Sequence, residues 1–391
     1  MKKSLLALAA MGAFAGAVQA QSSVTVYGTL DAGFRRDDTG ATATNGVTTG
    51  LVSNTLTSDR LGFRGTEDLG GGKSAFFQIE TGMVPFTSNN GRAGAGAGYA
   101  TDSNTPGNFI TTRRPTFLGL SDKTLGTLQV GSMYSLGFDF SGYGEVTGTN
   151  ILGTDLSHAT AVSSATDTAA ATTVGGTTSS FKMNANSQKY ISPRIQGAQV
   201  TLYNVTPATA ANGAGKVVAG EIDFVQGKLE ARAVYEVKTI ATSATGNVST
   251  KHTTMGIAAK YDLGVVKLGV STQKGDLTTT TAGAVGQTGT VTVNKFTAIA
   301  PVSPVVDLWG GYVNLSENAA GGLYKTAGAT ASASYMVAGA TYKLSKRTNL
   351  YAYYAGMDNK DAAGKFGRSS ASATTANLDP SSMGVGMRHS F

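Results

Sequence analysis

The sequence predicts an all-β fold: a sixteen-stranded antiparallel β-barrel crossing a membrane. Three observations predict it. The first is the last stretch of chain, where Met383, Val385, Met387 and Phe391 fall on every second position, with Gly384, Gly386, Arg388 and Ser390 between them. A strand turns successive side chains to opposite faces, so one face here is apolar and the other small or polar. A soluble edge strand would alternate in the same way. A barrel, however, must pair its last strand with its first, and a chain stopping on an aromatic strand residue meets that need. The second observation is the amino terminus. Lys2 and Lys3 precede a short apolar core, Leu5 to Val18, and Val18-Gln19-Ala20 matches a small-x-small cleavage pattern. Residues 1–20 are expected to be a removed export signal, and residues 21–391 a single barrel domain. The third is composition. No later run reaches the roughly 18 apolar residues of a helical span. Charged residues make up only 14%, against about 25% in ordinary soluble domains.

Sixteen strands are expected to begin near Val24, Ser58, Lys73, Asn108, Gly126, Lys182, Ala198, Gly215, Lys228, Lys251, Val265, Thr290, Val305, Ala331, Arg347 and Ser381. Alternation supports them. Ala75, Phe77 and Ile79 oppose Gln78 and Glu80 in the third. In the ninth, Leu229, Ala231, Ala233, Tyr235 and Val237 oppose Lys228, Glu230, Arg232, Glu236 and Lys238. Five charges on one face suit a wet lumen and would be costly in a packed core. In the eleventh, Val266, Leu268 and Val270 oppose Lys267 and Ser271.

The connections alternate in length. Short ones are 68–72, 122–126, 226–227, 262–264 and 344–346. Long ones are 37–54, 87–107, 134–180, 239–250, 275–289, 317–330 and 359–381. Short turns on one rim and long loops on the other are the pattern of outer-membrane barrels. The Thr/Ala/Gly-rich segments 159–180 and 278–290 read as loop. Tyr27, Phe34, Phe77, Tyr190, Tyr203, Phe224, Tyr261, Tyr312, Tyr335, Tyr342, Tyr351 and Tyr354 sit near strand ends, as membrane-interface rings do. Ordinary strand enrichment in aromatics would also place them there.

With these elements in place, the chain resembles the general porins of Gram-negative bacteria, of the beta-proteobacterial type. The resemblance rests on Ser22 to Gly33, Ser58 to Gly72, Ala75 to Gly82, Phe117 to Ser121, Lys189 to Pro193, Leu344 to Thr348 and terminal Phe391. It implies a homotrimer in the cell outer membrane, among lipid and lipopolysaccharide, passing small ions and hydrophilic solutes. It also implies a third extracellular loop folded inward to narrow the pore, and an assembly signal at Phe391 read by the barrel-assembly machinery.

That loop would be Tyr134 to Ser180, which carries Asp139, Glu145, Asp155 and Asp167 and no Lys or Arg. Arg60 and Arg64 share a strand face in the facing wall. Arg113 and Arg114 are adjacent, so only one can face the lumen. Aligning Gly119-Leu-Ser121 with the family puts its constriction arginine on Arg114 and its second-strand arginine on Arg60. The expected pore constriction is therefore Arg60, Arg64, Arg113 or Arg114, Asp139, Glu145 and Asp155. Two departures thin the basic cluster: Ser132 follows Gly131 where the family often has arginine, and Met183 stands where a basic residue is common. A ring of basic groups favours anions, and the loop acids oppose this, so a modest anion preference is expected.

Other functions fit less well. There is no cysteine, and the histidines are His158, His252 and His389 alone. No nucleophile–base pair, metal-ligand cluster or cofactor motif is suggested. The net charge of +7 comes with no basic stripe or stacking motif, so nucleic acid is not an expected partner. A substrate-specific channel with a saturable site is the alternative, distinguished by saturating flux. A receptor or adhesin barrel without a pore is disfavoured because a barrel of this size leaves an aqueous channel.

Overall fold

The computed structural model describes residues 23–40, 46–86, 110–149, 183–206, 215–241, 248–281, 284–319, 330–360 and 378–391. The expected export signal, residues 1–20, lies outside them. The described chain forms seventeen strands: β1 (Ser23–Asp38), β2 (Val47–Ser53), β3 (Arg60–Gly70), β4 (Lys73–Met83), β5 (Ile110–Asp122), β6 (Gly126–Tyr134), β7 (Met183–Ile191), β8 (Ala198–Val205), β9 (Lys216–Gln226), β10 (Leu229–Ala241), β11 (Val248–Asp262), β12 (Lys267–Thr281), β13 (Ala284–Pro301), β14 (Val306–Ala319), β15 (Thr330–Lys343), β16 (Thr348–Asn359) and β17 (Ser381–Ser390). A helix, α1 (Leu136–Tyr143), follows β6.

Neighbouring strands pair antiparallel, and the sheet closes on itself. β17 pairs with β1, from Thr29 opposite Ser390 to Asp38 opposite Ser381. The seam ends in a reciprocal pair: the Gly28 N–H donates to the Phe391 carbonyl and the Phe391 N–H to the Gly28 carbonyl, both at 3.1 Å. Every backbone group in hydrocarbon needs such a partner, so the final residue completes the ladder.

Seventeen strands make sixteen wall positions. β3 lies against the lower half of β1, with Thr29 opposite Arg60. β2 lies against its upper half, with Ala32 opposite Ser53. β2 and β3 thus occupy one position, interrupted at 54–59. A loop is expected over 37–54, but β-branched and apolar Val47, Thr48, Thr49, Leu51 and Val52 make strand β2 there. Likewise, the Thr-rich run expected as a loop over 275–289 extends β12 to Thr281 and starts β13 at Ala284, as β-branched threonine favours.

The break is stitched by Asp31. Its carboxylate accepts the Leu56 N–H at 2.8 Å, the Thr57 N–H at 2.7 Å and the Tyr351 hydroxyl at 2.5 Å. The Asp31 N–H in turn donates to Asp59. Backbone groups left without a ladder partner at the interruption are taken up by this buried side chain.

Alternation sorts the two faces. Val24, Val26, Phe34, Leu118, Ile222, Ile257, Val270, Met383 and Val385 are exposed on the outer surface. His389 shares that outer row, bonding Thr348 Oγ1 at 2.8 Å and stacking on Phe391. The interface-ring expectation divides: Phe34, Tyr190, Tyr261, Tyr312, Tyr342 and Tyr354 are exposed outside, whereas Tyr203, Tyr335 and Tyr351 are buried on the inner face. Tyr27 also turns inward, its hydroxyl on Glu80 at 3.0 Å. The inner face of β13 to β16 is itself apolar, with Val291, Val293, Val313, Leu315, Tyr335 and Tyr353 in one buried cluster with Leu56. Sequence spacing reports which residues share a face, not which face looks inward.

β17 is thin because its inner neighbours are large. A Cβ on Gly386 would collide with the Tyr351 hydroxyl, and one on Gly384 would come within 2.9 Å of the Tyr353 ring. Gly386→Val should therefore displace Tyr351 from Asp31 and destabilise the barrel by about 1–3 kcal/mol. A fall in the urea midpoint, followed by the fluorescence of the single tryptophan, Trp309, is the expected result. Deleting Phe391 should remove the reciprocal pair with Gly28 and lower the yield of folded barrel, read as the heat-modifiable band on unheated gels.

Candidate functional site: the charged inner wall

The connection after β6 begins with α1. Ser135 caps it by accepting the Phe138 N–H at 3.2 Å. From there the chain runs along lumen-facing side chains of distant strands. The Gly137 N–H donates to Glu236 of β10 at 3.0 Å, and Gln273 of β12 donates to the Gly137 carbonyl at 3.1 Å. Phe140 fills the space above Gly256 of β11, which a Cβ there would claim. Lys295 of β13 donates to the Ser141 carbonyl at 2.5 Å, and the Thr297 hydroxyl to that of Gly144 at 2.9 Å. Finally Arg388 of β17 donates to the Gly148 carbonyl at 3.4 Å. Residues 135–148 therefore touch the inner faces of β10 to β13 and then β17.

Tyr143, at the end of α1, is held between two cations. The Arg232 guanidinium lies 3.9 Å from its ring centre and the Lys260 ammonium 4.2 Å. Both cations are also bound to acids: Arg232 to Asp223 at 3.0 Å and Glu221 at 3.4 Å, Lys260 to Glu230 at 2.5 Å. The polar row expected on the ninth strand is thus the inner face of β10, where Glu230, Arg232, Glu236 and Lys238 line up. Burial, followed by the nearby charge of Asp223, pushes the Tyr143 phenol up to about 12.

The structure places the expected constriction residues in different surroundings. Arg60 and Arg64 lie on the inner face of β3 and make no ion pair among the described residues; Arg64 stacks at 5.1 Å on the Tyr27 ring. Arg114 is inward but buried, paired with Glu80 and 5.9 Å from the Tyr134 ring. Arg113 stands opposite Thr81 in the ladder, beside a register shift. Asp139 reaches Lys189 of β7 at 3.4 Å. Glu145 accepts from its own segment, from the Thr149 N–H at 3.2 Å and hydroxyl at 3.1 Å. Asp155 lies outside the described residues, as does Asp167.

Glu80, Glu221, Asp223, Lys189 and Lys260 join the site without having been expected from the sequence. Glu80 was legible by parity with Gln78. The others become relevant only when α1 is laid across their strands.

A closed barrel with an apolar outer surface and a charged, water-compatible inner wall is the architecture of an outer-membrane diffusion channel. The chain belongs to the Gram-negative porin family, whose model matches residues 7–362. It is an outer-membrane porin, a water-filled channel for ions and small hydrophilic solutes. It is 28% identical to an outer membrane porin protein of Bordetella pertussis over the whole of both chains. Its fold is similar to that of an anion-selective porin from Comamonas acidovorans, with a TM-score of 0.74 and 22% identity over 95% of this chain and 100% of that one. It is also similar to the trimer form of OmpT from Vibrio cholerae, with a TM-score of 0.63 and 14% identity over 95% of this chain and 99% of that one.

The clasp on Tyr143 can be tested by substitution and by pH. Tyr143→Ala should loosen the connection and increase brief closures in single-channel records, while Tyr143→Phe should behave as wild type, because cation–π attraction needs the ring and not the hydroxyl. The folded pKa lies above the usual 10.0. The stability contributed by burying the neutral phenol beside Asp223 is therefore whole below pH 10.0 and lost as pH rises towards about 12. Closures should grow over that alkaline window in wild type and stay flat in Tyr143→Phe.

Proposed function

We propose that this porin prefers anions weakly, assembles as a homotrimer, and is exported by a signal removed before Gln21. The complete third connection would then narrow the pore. The observation that carries the selectivity is an imbalance. Most inner-wall charges are matched, as in Arg114–Glu80, Arg232–Asp223 and Lys343–Asp307. Arg60 and Arg64 are not, among the described residues. Charges paired within a few ångströms cancel for a passing ion, so the unmatched cations decide the field. Anion selectivity in the Comamonas relative and the trimer form of OmpT support the reading.

The channel reading also accounts for the inner surface better than catalysis does. Among the described residues most inner charges other than Arg60 and Arg64 bind one another or the third connection, and no group of His, Asp or Glu could hold a metal.

Reversal potential across a planar bilayer with a potassium chloride gradient tests this. Wild type should show a modest chloride preference, and Arg60→Gln with Arg64→Gln should shift the potential towards cations. Flux should rise linearly with solute concentration. A potential unmoved by the double substitution would remove these arginines from the pore, and saturation at low solute would favour a specific site.

A further inference from the structure

A third inner-wall cation stands on the closing seam. Arg388 lies on β17 with Gly384 and Gly386, on the face that meets Tyr351 and Asp31. In the ladder it is opposite Asp31 on one side and Asn349 of β16 on the other. Thr29 stands opposite Arg60, and Thr25 opposite Arg64. Along β1, the three arginines therefore sit at the levels of residues 31, 29 and 25, descending towards the short turns. At about 3.3 Å per residue the steps are about 7 Å and about 13 Å along the strand.

We propose that Arg388 is an ion-selectivity residue, the upper rung of a row of unpaired cations, Arg388, Arg60 and Arg64, that guides anions down the closing seam. The proposal rests on the anion-channel reading and adds to it a residue that otherwise belongs to the terminal assembly strand.

Three observations support it. Arg388 is half-exposed and makes no ion pair among the described residues. Its polar contact there is the Gly148 carbonyl, which places the guanidinium at the third connection and in the lumen. The nearest acid is Asp31, directly across the ladder. That carboxylate is fully buried and already accepts from Leu56, Thr57 and Tyr351. Asp31 offsets part of the Arg388 charge but does not clasp it. On the other flank Asn349 is neutral, and its Oδ1 is buried without a hydrogen-bond partner. Neither ladder neighbour of Arg388 ties its charge down.

The chain has no cysteine, so a single thiol can be addressed. Arg388→Cys should lower the chloride-to-potassium permeability ratio about threefold: a unit charge about 6 Å from an ion in water, screened by salt over about 8 Å, changes chloride and potassium each about 1.7-fold in opposite directions. Treating the inserted variant with a cationic methanethiosulfonate should restore the ratio, and an anionic one should lower it further. Lys346→Gln, in the exposed β15–β16 turn, should leave the ratio unchanged.

Because β17 also closes the barrel, Asn349→Asp provides a test that leaves that strand intact. A carboxylate beside Arg388 should reduce the ratio as Arg388→Cys does. If wild type shows no chloride preference, the anion-channel reading fails. If wild type prefers chloride but the ratio is insensitive both to thiol-borne charge in the Arg388→Cys variant and to Asn349→Asp, the role of Arg388 is overturned while that reading stands.

Discussion

Closure of the backbone ladder is the constraint on which the rest of this protein depends. In hydrocarbon no water satisfies a strand edge, so the first and last strands must find each other. The seam is therefore crowded: β1 serves β17 on one side and, on the other, β3 below and β2 above. Gly28 and Phe391 end the seam with two mutual bonds. Gly384 and Gly386 are bare because Tyr353 and Tyr351 lie across β17. Asp31 sits where the neighbouring wall position is interrupted and supplies the acceptors that the missing ladder would have supplied.

The inner surface is a second consequence. A barrel wide enough to hold water must solvate or pair whatever points inward. On β9 to β11 the inward rows carry Glu221, Asp223, Arg232, Glu236 and Lys260 among Val217, Ala219, Val234 and Ala258, and together they hold the connection that begins at α1. On β13 to β16 they are largely apolar and buried, while Asn314, Ser316 and Ser334 point outward. The polarity of the wall thus reverses locally, so no single rule of apolar outside and polar inside describes every strand.

Attachment and selectivity draw on the same residue types but in different states. Arg232 and Lys260 hold Tyr143 while carboxylates meet their charges at contact distance, and Glu236 and Lys295 bind backbone groups of residues 137 and 141. Arg60, Arg64 and Arg388 are not committed in that way. A passing ion responds to what remains after local pairing, so the number of basic residues in the lumen matters less than which of them lack a carboxylate.

The sequence by itself determined the all-β class, the shared row from Met383 to Phe391, the charged face of β10 and the common face of Arg60 and Arg64. These follow from strand periodicity, which is local. It did not determine that 47–53 would form a strand of its own or that Thr278 would continue one. Nor did it determine which way Tyr335 and Tyr351 point, because alternation carries no sense of inside. The pairing of Arg114 with Glu80, the cations around Tyr143 and the meeting of Arg388 with Gly148 join residues 34, 89 and 240 positions apart or more. Only the closed barrel, with the third connection laid across it, brings such residues within reach, and that proximity decides which charges are spent on structure and which are left to act on ions.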